Sequence, residues 1–205
     1  MENYYFKKAK FIKSITDVNE APEEYNSSVL FVGKSNVGKS SLINALVNMK
    51  NLAYTSSKPG HTRLLNYYSV EDKFYLVDCP GYGFSTKKDL DYEFYGQMIE
   101  NYFKYVKNLK LVVFLLDSRH EPTNDDVDFY KFLLSFNYRF VICMTKCDKL
   151  NMSMKSKIYK NLSSKLGFEP NKNPPFLVSI NDKNSILKLK MLIEEVVEEG
   201  KNGAR

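Results

Sequence analysis

The sequence predicts an α/β three-layer sandwich, a mostly parallel sheet with one antiparallel edge hairpin and helices on both faces. Three observations point there. Short apolar runs at Val29–Val32, Leu111–Leu116, Arg139–Met144 and Pro175–Ser179 alternate with helix-patterned stretches. Such alternation implies a doubly wound sheet whose ligands bind beyond the carboxyl ends of the strands. Two β-prone runs, Leu65–Val70 and Lys73–Val77, are separated only by Glu71-Asp72 and read as a hairpin. A glycine-bounded loop, Gly33–Ser40, joins the first apolar run to the first helix-patterned one, Ser41–Val47.

Taken in order, residues 1–28 read as an N-terminal extension packing on or beside the domain. Phe6–Lys13 is a candidate edge strand there, and Ala21-Pro22 marks a break. Residues 29–199 form the domain itself. After the hairpin come a helix over Asp91–Val106 and the buried strand Leu111–Leu116. Thr123-Asn124-Asp125-Asp126 has the spacing of a capping box, with Asp126 in the usual Glu/Gln place and acids in the first turn. That helix runs to about Phe136. A helix over Ser153–Leu166 ends at Gly167, and a last one starts near Ser185 with Ile186, Leu189, Ile193 and Val196/Val197 on one face. Residues 200–205 are expected to fray.

The chain has 205 residues, a net charge of +6 and three cysteines, Cys79, Cys143 and Cys147. That length suits one domain. No apolar run approaches the ~20 residues of a membrane helix, and the first residues lack a signal-peptide pattern. An odd cysteine set without metal-ligand spacing reads as reduced thiols, so the expected compartment is the cytoplasm. The positive balance favours anionic partners such as nucleic acid, and equally suits a merely soluble surface. Lys7–Lys13 and Lys104–Lys110 are the basic clusters that could meet RNA or simply face solvent.

Gly33-Lys34-Ser35-Asn36-Val37-Gly38-Lys39-Ser40 has the spacing G-x-x-x-x-G-K-[ST] between strand and helix. Gly33 and Gly38 let the backbone approach phosphates closely, and successive amides plus the helix N-terminus supply positive charge. Lys39 is expected to reach the β- and γ-phosphates, and the Ser40 hydroxyl to ligate Mg²⁺. Asp78-Cys79-Pro80-Gly81 follows the hairpin, where Asp78 could hold Mg²⁺ through a water and the Gly81 N–H could meet the γ-phosphate. Thr62, in a loop with Gly60, His61, Arg63 and Leu64, is the expected second Mg²⁺ ligand. Lys39, Thr62 and Gly81 are the candidate catalytic groups. Thr145-Lys146-Cys147-Asp148 ends the next strand. Its carboxylate can accept from guanine N1–H and the 2-amino group, and the lysine stem can cover the base. Val178-Ser179-Ile180 would bring amides to the guanine oxygen.

With these residues in view, the sequence resembles the EngB/YihA/YsxC family of bacterial GTPases over essentially the whole chain. The resemblance rests on Gly33–Leu46, Pro59-Gly60-His61-Thr62, Asp78–Gly83, Asp117-Ser118-Arg119-His120-Glu121-Pro122-Thr123 and Thr145–Asp148, where Thr145 replaces a common Asn. It implies a P-loop GTPase fold, GTP/GDP binding, Mg²⁺ dependence and slow hydrolysis. It further implies action on the large ribosomal subunit precursor, its rRNA and proteins, with a direct or indirect part in cell division and septum formation. The lack of an evident association stripe and of a membrane-length apolar run makes a monomer that stays off membranes the expectation. Tyr82 follows Gly81 where many GTPases have a water-orienting Gln, so turnover is expected to be slow. Asn36 resembles an Asn that holds K⁺ beside the phosphates, and equally a simple loop residue. Arg63 and Arg119 could act as arginine fingers or make ordinary contacts. His61 and His120 belong to no nucleophile–base pair. Two other readings stay open: a nucleotide-regulated binding module for division proteins, and a small-molecule kinase using ATP.

Overall fold

The computed structural model describes residues 6–53, 64–83 and 90–202. Seven strands form one mixed sheet: β1 (Ala9–Ile15), β2 (Ser28–Gly33), β3 (Leu65–Val70), β4 (Phe74–Asp78), β5 (Leu109–Asp117), β6 (Phe140–Thr145) and β7 (Phe176–Leu177). Five helices accompany them: α1 (Lys39–Leu46), α2 (Leu90–Tyr105), α3 (Asn124–Leu134), α4 (Met152–Leu166) and α5 (Lys183–Asn202). The sheet order is β1-β3-β4-β2-β5-β6-β7. From β4 to β7 neighbouring strands are parallel, while β1–β3 and β3–β4 are antiparallel. The antiparallel edge therefore has three strands, one more than the expected hairpin, with residues 9–15 as the outermost.

Strand alternation sorts the core into two layers. In β2 and β5, Leu30, Val32, Val112, Phe114 and Leu116 face a cluster with Ile99, Tyr102, Phe129, Leu133 and Leu162, drawn from α2, α3 and α4. Val29, Phe31, Leu111, Val113 and Leu115 face Leu42, Ile43, Leu46, Leu189 and Ile193 of α1 and α5. Burial on both faces is why these strands read as continuous apolar runs rather than alternating ones. The α5 stripe stays buried to Val197 and carries the helix to Asn202, past the boundary at residue 200 expected from sequence. No helix among the described residues is long and apolar enough to cross a membrane.

The β3–β4 turn uses no glycine, although Glu71 and Asp72 both have positive φ (54° and 51°). Such a turn normally takes Asn or Gly. Here the two acids offset the strain by reaching β1: Glu71 Oε1 accepts from the Lys7 and Lys8 amides at 2.6 Å, and Asp72 pairs with Lys8 and Lys10.

Asn44 on α1 is buried, and its amide closes a loop that leads out of the helix. Its Nδ2 donates to Ala53 O at 2.8 Å and to Lys50 O at 3.3 Å, and its Oδ1 accepts from Ala53 N at 2.7 Å. Asn44→Ala would strand those backbone groups and is expected to cost about 1–3 kcal/mol. Calorimetry should show the midpoint falling by about 2–4 °C per kcal/mol in a chain of this size; an unchanged midpoint would reject this role for Asn44.

Candidate functional site

Parallel pairing brings the ends of five strands to one rim of the sheet. Phe31 lies opposite Asp78, Gly33 opposite Leu115, Asp117 opposite Thr145, and Met144 opposite Leu177. The sequence motifs that end β2, β4, β6 and β7 are thereby brought into one row.

The phosphate loop lies between β2 and α1. Gly38 is the N-cap of α1 at φ 110°, a conformation that side chains with a Cβ rarely adopt, so glycine is required there. Lys39 is buried, and its Nζ donates to Gly33 O at 3.4 Å, which curls it back over the loop. The Ser40 hydroxyl donates to Asp78 Oδ2 at 2.7 Å. Asp78 Oδ1 is buried without a hydrogen-bond partner among the described residues. Burial pushes the Asp78 carboxyl up, against the pull of Lys39 and of the Ser40 hydroxyl. A buried acceptor beside a serine hydroxyl fits a hydrated Mg²⁺, which takes few protein ligands when phosphates supply the others.

Gly81 meets the phosphate loop directly. A Cβ built there would stand 2.4 Å from Ser35 Oγ and 2.7 Å from Ser35 Cα. One residue on, Tyr82 O accepts from Ser35 N at 3.2 Å, and Lys34 forms an isolated parallel bridge with Tyr82. The Tyr82 ring stacks on Phe129 of α3 at 5.0 Å, and its hydroxyl donates to Asp126 Oδ1 at 2.7 Å. Asp126 also caps α3: its Oδ2 accepts from the Thr123 amide and hydroxyl, both at 2.7 Å. Lys34 reaches the same helix start, 3.4 Å from Thr123 Oγ1 and 3.3 Å from Asp125. The sequence reading anticipated the capping box but not that Tyr82 and Lys34 would use it as an anchor. Nothing in their spacing links positions some forty and ninety residues apart. Cys79 and Pro80 are buried supports: the Cys79 amide donates to Phe31 O, and burial pushes its thiol up to about 12.

On the other side, Thr145 Oγ1 donates to Val37 O at 2.7 Å and lies 3.2 Å from Leu116 O, a second acceptor for its one proton, tying β6 to the phosphate loop beside β5. Lys146 and Asn36 both have φ of 60°, an uncommon conformation for side chains with a Cβ. The Lys146 Nζ donates to Asn36 O and to Asp117 Oδ2, each at 2.8 Å, which holds the two together. Asp117 also accepts a bidentate pair from Arg119 at 2.9 and 2.7 Å. Burial alone would raise the Asp117 carboxyl, but Arg119 and Lys146 hold it well below the usual range. Arg119 is thus engaged at Asp117, beside Lys146, the ordinary contact that was one of its two readings from sequence. His120 is an exposed turn residue whose amide donates to Asp117 O.

Asp148 accepts from Ser179 Oγ at 2.7 Å and from Asn181 Nδ2 at 3.1 Å. The Cys147 amide donates to Val178 O at 3.3 Å, joining the two loops. Two of the amides expected to face a base are committed elsewhere: Val178 N donates to Met144 O and Ser179 N to Ser185 Oγ. Among the described residues, the exposed Ile180 retains a backbone N–H with no such engagement. Leu64 stands exposed just before β3. Gly60, His61, Thr62 and Arg63 lie outside the described residues.

Gly81→Ala adds a methyl group where Ser35 already stands, so the two loops must part; overpacking of this kind costs about 1–3 kcal/mol. The expected outcome is about a tenfold or larger loss of guanosine triphosphate affinity with a smaller loss for the diphosphate, read by calorimetry. Equal losses for both would show that Gly81 does not sense the third phosphate.

A family model described as 50S ribosome-binding GTPase matches residues 28–146. A probable GTP-binding protein EngB from Clostridium kluyveri is 45% identical over 156 residues, covering 76% of this chain and 78% of the relative. Its counterpart from Clostridium perfringens is 38% identical over 193 residues, covering 94% and 98%. A solved structure of a probable GTP-binding protein engB superposes with a TM-score of 0.65 at 23% identity, covering 84% of this chain and 99% of its own. Era from Aquifex aeolicus, bound to GDP and AlF₄⁻, gives 0.62 at 21% identity, covering 82% and 56%. At those identities the solved structures speak for the fold alone. With the family model spanning more than half the chain and close relatives covering most of it, the chain belongs to the EngB family of GTP-binding proteins and is a GTPase.

Proposed function

We propose that this GTPase is a slow molecular switch in assembly of the large ribosomal subunit, engaging the precursor's rRNA and proteins in one nucleotide state and leaving in the other. The observation that carries the reading is the attachment of the Asp78–Gly83 segment to the phosphate loop through Gly81, Tyr82 and Ser35. A third phosphate beside Gly81 would bear on that attachment. The 50S-binding description of the matching family supports the choice of partner.

In this reading Lys39 and the loop amides gather positive charge around the β- and γ-phosphates, and the Gly81 amide meets the γ-phosphate. Ser40, Thr62 and, through a water, Asp78 hold Mg²⁺, which when bound neutralises charge on the β–γ bridge. Asp148 reads guanine N1–H and the 2-amino group, and the Ile180 amide takes the base oxygen. Gly60, His61, Arg63 and Leu64 accompany Thr62. Tyr82 cannot orient the attacking water, because its ring is packed on Phe129 and its hydroxyl is bound to Asp126. Asn36 exposes its side-chain amide on the loop, and a K⁺ ion beside the phosphates is proposed there; unchanged turnover when Na⁺ replaces K⁺ would dismiss it.

The Lys7–Lys13 cluster runs along the free edge strand β1, partly balanced by Asp72 and Glu20; Lys104 pairs with Glu100. Exposed pairs of this kind are weak enough for RNA phosphates to exchange into. The protein is proposed to work as a cytoplasmic monomer, with any effect on cell division following from subunit assembly.

Two measurements test the reading. With a non-hydrolysable GTP analogue, the protein should pellet with large ribosomal subunits, less so with GDP, and release as salt rises. Absence of pelleting in every state would overturn the assembly role and favour a module for division proteins. Single-turnover hydrolysis by the isolated protein should run on the order of 10⁻³ s⁻¹ or slower; a rate typical of a fast enzyme would show that water is positioned without a partner.

A further inference from the structure

Asp148, Ser179 and Asn181 form a closed ring of hydrogen bonds. The Ser179 hydroxyl donates to Asp148 Oδ1 at 2.7 Å and accepts from Asn181 N at 3.1 Å. The Asn181 side chain completes the ring, its Nδ2 donating to Asp148 Oδ2 at 3.1 Å. An ionised carboxylate can only accept, so the amide must present its nitrogen to Asp148. One carboxylate is thus held at both oxygens by a single turn, Val178–Asp182, closed by Asp182 N donating to Ser179 O at 3.0 Å.

A carboxylate held at one oxygen still swings about its last side-chain torsion, which is broad. Held at both, its plane is set. We propose that Asn181 is a specificity-determining positioning residue, locking Asp148 as a flat two-acceptor edge that can meet two purine donors at once. This rests on the guanine-reading assignment of Asp148. Each carboxylate oxygen accepts more than one hydrogen bond, so Ser179 and Asn181 leave a place for a base donor on each.

The consequence concerns guanine against hypoxanthine. Both bases carry N1–H and the 6-oxo oxygen, but only guanine has the 2-amino group. A swinging carboxylate can follow one donor; meeting two requires a fixed plane. Asn181 therefore contributes chiefly to the second bond. It also affects the charge: Ser179 chiefly, and after it Asn181, Asp148's own amide and Lys149, hold the Asp148 carboxyl below its usual range against the opposing effect of burial. Removing the Asn181 donor raises that carboxyl, so GDP affinity should begin to fall at a higher pH as the solution is acidified.

The test uses the full chain and measures dissociation constants for GDP and inosine diphosphate by calorimetry from neutral to mildly acidic pH. The variants are Asn181→Ala and the near-isosteric Asn181→Asp, which keeps the backbone bond to Ser179 but cannot donate when ionised. Asn181 is exposed, so both should fold. The expected result is a loss of GDP affinity of roughly tenfold, a smaller loss for inosine diphosphate, and an acid limb moved to higher pH. Equal losses for the two nucleotides with an unmoved acid limb would overturn the proposal and leave Asn181 as a loop support. Asp148→Asn, measured with GDP and xanthosine diphosphate in the same series, separates the two layers. Without a shift toward xanthosine diphosphate the base assignment fails, and this inference with it; a shift alongside an unchanged guanine-to-hypoxanthine ratio in the Asn181 variants rejects this inference alone.

Discussion

The contact on which the site depends is the meeting of Gly81 with Ser35. A glycine is needed there because the phosphate loop stands where any side chain would begin. Tyr82 then fixes that approach from both ends, its carbonyl on the Ser35 amide and its hydroxyl on Asp126. The phosphate loop, the segment after β4 and the start of α3 are consequently one mechanical unit. A short, bonded path therefore joins the phosphate loop to α3.

The same bonding explains why the residue after Gly81 is not a catalytic amide. A phenol with its ring stacked on Phe129 and its hydroxyl on a buried carboxylate has given up the freedom to approach a water at the γ-phosphate. Burial and Asp126 together push the Tyr82 hydroxyl well up, so it stays a neutral donor. In the proposed function, chemistry falls to the loop amides, Lys39 and the hydroxyl–carboxylate pair of Ser40 and Asp78, and slow turnover is the expected consequence.

At the base end, order comes from charges and strained backbone held against each other. Lys146 and Asn36 both adopt a left-handed conformation and are bonded to one another, while Asp117 draws in Lys146 and Arg119. Conformations of this kind cost of order 1–3 kcal/mol each and persist only where the surroundings over-determine them. The Thr145 hydroxyl makes the bond to Val37 O that anchors the phosphate loop.

Much of this was legible in the chain itself. Continuous apolar runs, β-prone stretches and capping spacing are local, so Leu111–Leu116, the Glu71-Asp72 hairpin and the Thr123–Asp126 cap could be read from neighbours in sequence. The spacing of Gly33, Gly38, Lys39 and Ser40 pointed to a phosphate loop because such a loop needs those residue types at fixed local intervals. What could not be read were partnerships across long separations: Lys34 with Asp125, Tyr82 with Asp126, Asn181 with Asp148, and β1 joining the sheet through β3. The commitment of the Val178 and Ser179 amides to other acceptors was equally hidden. Sequence determined which chemical groups each strand end would carry, since propensity and spacing act over a few residues. Tertiary structure alone decided which of those groups touch, because strand order and register set distances between residues that the chain holds far apart.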